Sequence, residues 1–177
     1  MYEFFKRLLD VVVSLVSLII LLPVFIPIII ILKFTAEGEV LFFQERIGIN
    51  NVRFQIWKFA TMLKNSMDMG SGSITLQNDF RVTKIGVFLR KTKINELPQI
   101  INILKGDISL VGPRPALFNQ NDLIMLRREK GVNKLLPGIT GWAQVNGRDE
   151  LSITDKVVLD VEYLNRQSFW LDIKILW

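Results

Sequence analysis

The chain has 177 residues, with 22 Lys and Arg against 17 Asp and Glu, a net charge of +5, and half of its residues are hydrophobic. These values fit one globular domain with a core and exclude a disordered, collagen-like or disulfide-stapled chain. There is no Cys and no His. Thiolate nucleophiles, imidazole bases and zinc sites are therefore excluded, which leaves carboxylates, Lys, Arg, hydroxyls, amides and a hard cation such as Mg²⁺.

The first predicted element is a membrane segment. Residues 11–32 carry no charged side chain and lie between Asp10 and Lys33. A helix of this length is long enough to cross the roughly 30 Å hydrocarbon core of a bilayer, and too long to favour a core helix of a soluble protein. Pro23 and Pro27 predict a bend. Two alternatives stay open: a kinked helix that crosses the bilayer, and a helix that turns back to the face it entered.

A small sheet is predicted next. Residues 40–44 and 52–59 have strand-like patterns, and the Gly-Ile-Asn-Asn sequence at 48–51 is typical of a turn. Together they predict a β-hairpin. Thr83 then predicts the cap of a short helix.

Further helices are predicted in the second half of the chain. An apolar stripe predicts a helix over 92–106 that begins within its first four residues, because Pro98 is tolerated only in the first turn. A second helix is predicted over 119–130, and a capping box at Ser152 predicts a third. Residues 168–177 are rich in aromatic side chains and fit either a membrane interface or an edge of the core.

These elements predict an α/β fold that is mostly helical, with a small β-hairpin or sheet, in a single membrane-embedded domain. Residues 1–35 form the predicted membrane segment, and residues 36–177 form the predicted polar-faced domain with interfacial amphipathic segments. The basic charge suits anionic lipid head groups or ligands that carry phosphate.

Two loops contain residues suited to phosphate chemistry. In residues 109–115, prolines flank Arg114 and restrict the backbone, so its guanidinium could grip a phosphate at little entropic cost. A rigid connector with a solvated Arg explains the pattern equally well. Residues 137–148 hold three glycines for close approach to a ligand and several polar side chains, among them Gln144 and Arg148. The alternative is a surface loop pinned by Trp142.

The predicted helix start at Asn95 and Glu96 is a third position suited to phosphate or metal. A helix N-terminus attracts anions, and a carboxylate there could hold a metal ion that bridges to a phosphate. The residues alone favour simpler roles, with Asn95 as a helix cap and Glu96 as an acid that complements the helix dipole.

Taken together, these stretches resemble the bacterial sugar transferase family, the monotopic phosphoglycosyl transferases. The resemblance covers nearly the whole chain in order. It rests on the proline-broken N-terminal segment and on residues 44–48, 57–62, 88–92, 96–99, 104–107, 111–115, 137–148 and 159–161.

The resemblance implies an enzyme at the inner face of the bacterial cytoplasmic membrane. Such an enzyme moves a phosphosugar from a UDP-sugar to a polyprenyl phosphate, releases UMP and starts a surface glycan. The family uses Mg²⁺ and an Asp-Glu pair whose Asp forms a covalent intermediate. It also implies that the N-terminal helix is re-entrant and that residues 36–177 lie on the cytoplasmic side. The expected partners are the two substrates and membrane lipids, with no nucleic acid, and a homodimer stays open.

The resemblance also assigns site residues. Asn95 stands at the nucleophile position, and Glu96 is expected to bind Mg²⁺ and to take part in catalysis. The remaining assignments are residues for binding phosphate and substrate, namely Lys58, Arg90, Arg114, Gln144, Arg148 and Asp160.

Two positions depart from the family pattern. Asn95 replaces the Asp, and a carboxamide cannot form the acyl phosphate that a carboxylate forms. Asn95 can be a natural variant that relies on Glu96 or direct transfer, a change that holds the site inactive, or the mark of a protein that only binds the ligands. Ala60 replaces a basic residue, so one phosphate contact is expected to be missing. The rival interpretation is a non-catalytic, membrane-anchored binding protein on the same fold.

Overall fold

The predicted membrane segment lies within one long helix, α1 (Tyr2–Thr35), in a computed structural model. The structure describes residues 1–35, 38–66, 79–147 and 150–177. Among these, α1 is the one helix long and apolar enough to cross a membrane. At about 1.5 Å per residue its 34 residues measure roughly 51 Å, more than a hydrocarbon core. The helix could therefore anchor the chain in a membrane.

Pro23 and Pro27 both lie inside α1, and neither of them ends the helix. Exposed apolar side chains cover much of the surface around them, including Ile19, Ile26 and Ile30. A continuous apolar surface of this kind is unusual next to water and is stable next to lipid. The re-entrant course of the helix stays a prediction.

The described chain divides into two compact units. The large unit contains Met1–Leu15, Gln44–Ile56 and Ile101–Trp177. The small unit contains Val16–Phe43 and Trp57–Ile100. The predicted separation of an N-terminal membrane domain from a catalytic domain stays a prediction.

The predicted hairpin is confirmed. Strands β1 (Leu41–Ile47) and β2 (Arg53–Phe59) form a two-stranded sheet, and a short 3₁₀ turn (Ile49–Asn51) joins them. Asn50 and Asn51 have φ angles of 53° and 63°. Asn tolerates this left-handed conformation better than most residues, which is why the turn can be so tight.

A second, parallel strand pair lies in the large unit and was not predicted. Strands β3 (Ser109–Val111) and β4 (Gly138–Thr140) pair with Ser109 opposite Gly138 and Val111 opposite Thr140. Each strand has three residues, which is too short for a hydrophobic period to show in the sequence.

The large unit also contains several helices. Those predicted over 119–130 and after Ser152 are confirmed, and the Ser152 hydroxyl accepts a hydrogen bond from the Asp155 amide at 3.1 Å. The helices are α4 (Asn121–Glu129), α5 (Trp142–Val145), α6 (Ile153–Arg166) and α7 (Phe169–Leu176). Two buried clusters pack against α6, one containing Val111 and Tyr163 and the other Leu123 and Val157.

The first turns of α1 belong to the large unit and are bonded to it. Lys6 forms an ion pair with Asp172 at 2.6 Å, and the Asp10 carboxylate accepts the Leu110 amide at 3.0 Å. Arg7 donates to two backbone carbonyls at 2.6 and 2.9 Å. Asp10 is only 2% exposed. This part of α1 therefore contacts protein on its polar side.

The small unit is built around α2 (Lys84–Lys91). The Thr83 hydroxyl accepts the Gly86 amide at 3.0 Å, which confirms the predicted cap. The buried core of the unit consists of Phe25, Leu32, Phe59 and Leu89. The rings of Phe25 and Phe59 meet edge to face, with centroids 5.6 Å apart.

The helix predicted over 92–106 begins later than expected, so its predicted start is wrong. Lys93 is left-handed, with φ of 62°, and a 3₁₀ turn over Ile94–Glu96 follows it. Helix α3 (Gln99–Lys105) begins directly after Pro98. The left-handed Lys93 and the 3₁₀ turn after it interrupt the chain between Thr92 and Pro98, so no continuous helix can begin there, whereas Pro98 directly before α3 costs no hydrogen bond inside the helix.

Candidate active site

The two loops identified in the sequence leave the same edge of the parallel strand pair. One follows β3 and the other follows β4, and carboxyl ends of parallel strands lie at one edge. The Gly112 amide donates to the Thr140 carbonyl at 2.8 Å, and the Gly138 amide donates to the Pro113 carbonyl at 3.0 Å. The sheet therefore brings the two loops together through main-chain bonds.

Glycine is required where the loops touch. A Cβ atom on Gly138 would lie 2.1 Å from the amide nitrogen of Gly112. A Cβ atom on Gly141 would lie 2.1 Å from the carbonyl oxygen of Gly112. Both neighbours are backbone atoms that cannot rotate away, so side chains at these positions would force the loops apart.

The Arg114 loop (residues 112–115) presents an exposed Arg on a fixed backbone. Pro113 and Pro115 are buried, whereas Arg114 is exposed. The Arg114 carbonyl accepts a hydrogen bond from the Arg127 Nη1 atom at 2.8 Å. The backbone is thus restricted on both sides of a side chain that reaches outward, as a phosphate-binding Arg requires.

Asp160 is buried and paired with a residue that the sequence analysis missed. Its Oδ2 atom accepts from Arg127 Nε at 2.9 Å and from Nη2 at 2.7 Å. Burial raises the pKa of Asp160, and the Arg127 charge opposes that rise. Arg127 lies in a run of charged residues typical of a solvated face. The one pattern that could have indicated the partial burial of Arg127 is its position one helical turn after Leu123, which is buried.

Trp142 pins the second loop to two helices. Its indole nitrogen donates to the Glu162 carboxylate at 2.8 Å, and the Lys174 ammonium lies 5.7 Å from the ring centre. The Trp142 hydrogen bond and the nearby Arg166 lower the pKa of Glu162. The pinned-loop alternative therefore describes Trp142 correctly.

Gln144 follows Trp142 on α5. Its Oε1 and Nε2 atoms are buried and have no hydrogen-bond partner among the described residues. Buried amides without partners are rare and costly, so this one is available to a polar group. Arg148, the other predicted polar contact of this loop, lies outside the described residues.

The small unit brings together the other predicted site residues. The Lys58 ammonium lies 3.6 Å from the Glu96 carboxylate. Arg90 Nε donates to the Thr61 hydroxyl at 2.8 Å. Burial lowers the pKa of Arg90, and the neighbouring Arg81 lowers it further. Lys58 and Glu96 thus lie close to each other in partly buried surroundings, which strengthens their interaction.

The position of Asn95 and Glu96 differs from the predicted helix start. They belong to the 3₁₀ turn, named here the Asn95–Glu96 turn, in which the Glu96 amide donates to the Lys93 carbonyl at 3.0 Å. Asn95 is buried, does not cap a helix, and its Oδ1 has no partner among the residues that the structure describes. Both the predicted cap and the predicted dipole-based anion site are wrong.

A buried ion pair next to Arg90 was also missed. Arg81 binds Asp79 through Nε at 2.8 Å and Nη2 at 2.6 Å, and Arg81 is 1% exposed. The Asp79 charge raises the pKa of Arg90 while Arg81 lowers it. The spacing of the two residues carries no periodic signal, so nothing in the pattern selects them.

The bacterial sugar transferase family model matches residues 1–177. The chain belongs to the bacterial sugar transferase family. Its similar relatives include the UDP-glucose:undecaprenyl-phosphate glucose-1-phosphate transferase of Escherichia coli (strain K12), 42% identical, with 97% of this chain and 38% of the relative covered. They also include the undecaprenyl-phosphate glucose phosphotransferase of Komagataeibacter xylinus, 41% identical, with 97% and 34% covered.

A third relative differs in the sugar that its name specifies. The UDP-N-acetylgalactosamine-undecaprenyl-phosphate N-acetylgalactosaminephosphotransferase of Aeromonas hydrophila is 35% identical, with 99% of this chain and 43% of the relative covered. The chain thus spans about a third to two fifths of the length of these relatives.

For this sugar transferase, the predicted site residues fall in both units. Lys58, Arg90, Asn95 and Glu96 belong to the small unit, and Arg114, Gln144 and Asp160 belong to the large unit. Within the small unit, Lys58 lies next to Glu96. Within the large unit, Asp160 reaches the Arg114 loop through Arg127.

The donor set fits Mg²⁺ in a substrate-dependent site. The described residues contain no group of three His, Cys, Asp or Glu side chains that could hold a metal. Glu96 would supply one carboxylate, and Asn95 Oδ1, which has no partner among the described residues, would supply a second oxygen. Mg²⁺ commonly takes one or two protein oxygens and completes its shell with water and substrate phosphates. These two residues fit that pattern.

Proposed function

We propose that this chain transfers a phosphosugar from a UDP-sugar to a polyprenyl phosphate at a membrane surface and releases UMP. The observation that carries the proposal is the exposed Arg114 on a loop fixed by prolines and main-chain bonds. Family membership and the transferase names of the relatives support it. The membrane-length helix α1 fits a lipid-linked acceptor.

Each cationic residue has a proposed role in holding phosphate. Arg114 binds a phosphate of the nucleotide through its planar fork, which suits two oxygens at once. Lys58 and Arg90 offset the negative charge near Glu96, because a diphosphate and a phosphate acceptor carry several charges between them. Gln144 offers its unpartnered amide to the nucleotide or the sugar. Arg148 is proposed as a second contact there.

Mg²⁺ held by Glu96 and Asn95 would neutralise charge on the substrate phosphates. Glu96 lies 3.6 Å from the Lys58 ammonium, so a bound cation would share this carboxylate with Lys58. The Asn95 carboxamide adds no charge, so this chain would bind the cation more weakly than one with two carboxylates.

The phosphosugar can be transferred by either of two courses, and Asn95 bears on which one this chain follows. In the family reaction, a carboxylate oxygen attacks the phosphorus that bears the sugar, and the bond from that phosphorus to the UMP oxygen breaks. In direct transfer, an oxygen of polyprenyl phosphate attacks the same phosphorus and UMP leaves in that step. A carboxamide is a poor nucleophile, so direct transfer is the course that fits Asn95.

The rival function is ligand binding without turnover. It is favoured by one observation, the neutral Asn95 at the nucleophile position. Both proposals need Arg114 to bind the nucleotide, so nucleotide binding alone does not separate them.

A UMP-release assay separates the two functions. The chain, in detergent or lipid nanodiscs with Mg²⁺ and undecaprenyl phosphate, is tested with a panel of UDP-sugars that includes UDP-glucose and UDP-N-acetylgalactosamine. We expect UMP release that requires undecaprenyl phosphate, with one sugar preferred. Absence of UMP release throughout the panel, with UDP still bound, would establish the binding function instead.

We further propose that α1 is re-entrant and that the domain lies on the cytoplasmic face of the inner membrane. The chain has no Cys, so single substitutions Glu3→Cys and Glu39→Cys give unique labels on either side of the apolar run. An impermeant maleimide should label neither in cells with only the outer membrane opened, and both after lysis. Labelling of position 3 alone before lysis would show a spanning helix.

A further inference from the structure

Arg127 links a buried carboxylate to the backbone of the Arg114 loop. Two of its nitrogens, Nε and Nη2, bind Asp160 Oδ2 at 2.9 and 2.7 Å. The third, Nη1, binds the Arg114 carbonyl at 2.8 Å. All three guanidinium nitrogens are therefore used, and the planar fork fixes the directions in which they point.

Because Arg127 and Asp160 are largely buried, their ion pair favours one arrangement of the elements around it. The side chains of Arg127 and Asp160 are 12% and 2% exposed. A buried pair contributes little net stability, because the desolvation cost offsets most of the attraction. Breaking it, however, leaves a charge without a partner, so the pair strongly favours one arrangement of α4, α6 and the loop.

The surroundings of the loop make this hydrogen bond important. A small cleft with a volume of about 30 Å³ lies beside it, lined in part by Pro113, Pro115 and Arg127. Space for only a few water molecules remains there. Pro115 has no amide hydrogen, so side chains hold the loop here through its carbonyls: Arg127 binds that of Arg114, and Arg46 Nη1 binds that of Pro115 at 3.1 Å.

We propose that Arg127 and Asp160 are positioning residues that orient Arg114 toward a phosphate of the nucleotide. Asp160 orients Arg127, and Arg127 fixes the Arg114 carbonyl and with it the direction of the Arg114 side chain. The inference rests on the proposed function. It replaces the expected contact of Asp160 with substrate, because a buried carboxylate already bonded to an Arg would repel a phosphate rather than bind it.

A double-mutant cycle tests whether Arg127 acts through Arg114. The variants are Arg127→Lys, which keeps the charge but loses the fork, Arg114→Ala, and both together. Arg128→Lys is the matched control, since Arg128 is the exposed neighbour on the same helix. We expect Arg127→Lys to lower kcat for UMP release roughly 10-fold or more and to weaken UDP binding as well, because a misplaced Arg114 loses its phosphate contact in the bound state and in the transition state.

The double-mutant cycle distinguishes a positioning role of Arg127 from an independent or purely structural one. In the Arg114→Ala background, Arg127→Lys should have almost no further effect, because the side chain it orients is gone. An equal loss in both backgrounds, or a fall in melting temperature with kcat unchanged, would overturn the proposal. Asp160→Asn, which preserves shape, should repeat the kcat loss and provides a second variant if Arg127→Lys fails to fold.

A binding measurement keeps this inference separate from the proposed function. If the unchanged chain releases no UMP, the same cycle is measured by titration calorimetry with UDP. Coupled losses in UDP affinity at Arg127 and Arg114 would support the positioning role while the transferase proposal fails. Additive losses, or no UDP binding by the unchanged chain, would overturn the positioning role as well.

Discussion

The Arg114 loop and the Asn95–Glu96 turn differ in what holds them. Main-chain bonds at 2.8 and 3.0 Å join the Arg114 loop to its neighbouring strand, and glycines allow the close approach. The Asn95–Glu96 turn follows a left-handed Lys93, and the Lys58 side chain lies 3.6 Å from Glu96. In the helix before the turn, Arg90 is supported by Thr61 through a side-chain hydrogen bond.

We therefore interpret the Arg114 loop as a fixed binding element and the Asn95–Glu96 turn as an adaptable reactive element. Main-chain bonds do not depend on side-chain identity, so the Arg114 loop keeps its shape when its exposed side chain changes. The surroundings of the turn depend on individual side chains, and Asn95 Oδ1 has no partner within the described part of the chain. Substitutions near the turn should therefore alter chemistry and stability together.

The largest effect is expected from Gly138→Ala, which disrupts the close approach of the Gly138 and Gly112 backbones. The new Cβ would meet the Gly112 amide nitrogen at 2.1 Å, so we expect a loss of about 3 kcal/mol or more in unfolding free energy, together with loss of activity. Gly131→Ala is the control, with φ of 76° and open space around its Cβ, and should cost about 1–2 kcal/mol. Thermal unfolding in one detergent measures both. Equal costs would contradict the fixed-loop interpretation.

Arg114→Ala should affect activity without affecting stability. Loss of a charge-assisted phosphate contact costs about 1.5–3 kcal/mol, or roughly a 10- to 100-fold fall in kcat/KM. Arg114→Lys should recover little, because Lys lacks the planar fork. UMP release and melting temperature are measured together. Normal turnover by Arg114→Ala would remove this residue from the site.

Asn95→Asp should raise turnover by about tenfold or more, equivalent to about 1.4 kcal/mol on the barrier. The change supplies the carboxylate that covalent transfer requires, at nearly constant size. Mass spectrometry after incubation with UDP-sugar should detect a phosphosugar adduct at position 95. Glu96→Gln is the comparison variant and should lose activity in either background. An adduct on Glu96 in the unchanged chain would show that the nucleophile is misplaced.

The smallest effect is expected from Thr61→Val near the turn. It removes the acceptor of Arg90 Nε at nearly constant shape, so the free energy of unfolding should fall by about 1 kcal/mol. Thr92→Val, at an exposed position, is the matched control and should change stability by less than about 0.5 kcal/mol. Chemical denaturation compares the two. Equal losses would mean that Thr61 is not a specific support.

Elements with a local signal were predictable from the sequence. The hairpin, the Thr83 cap and the Ser152 cap depend on turn and capping residues that lie within a few positions of each other. The parallel pair of β3 and β4 was not predictable, because its short strands are far apart in the chain and pair through backbone atoms. The α3 start was misplaced because the left-handed Lys93 has no sequence signature.

The sequence could select candidate site residues that lie in motifs, and it could not select the residues that support them. Arg114 and Glu96 were identified from motifs and from family resemblance. Arg127 and Arg81 were missed, because a charged residue on a helix or in a loop normally faces water. Arg127 pairs with Asp160, which is 33 residues away in the chain, and Arg81 pairs with Asp79, which is two residues away. Neither pairing joins residues within one predicted helix or strand, so neither is visible before the chain is folded.

The bonded start of α1 sets a limit on how the chain can be shortened for work in solution. Residues 1–15 supply Arg7 to the carbonyls of Ile103 and Leu104, and Asp10 to the amide of Leu110. Deleting them would strip the large unit of internal partners, and deleting the apolar run as well would remove Phe25 and Leu32 from the core of the small unit. A soluble derivative should therefore keep these residues and replace exposed apolar positions farther along the helix.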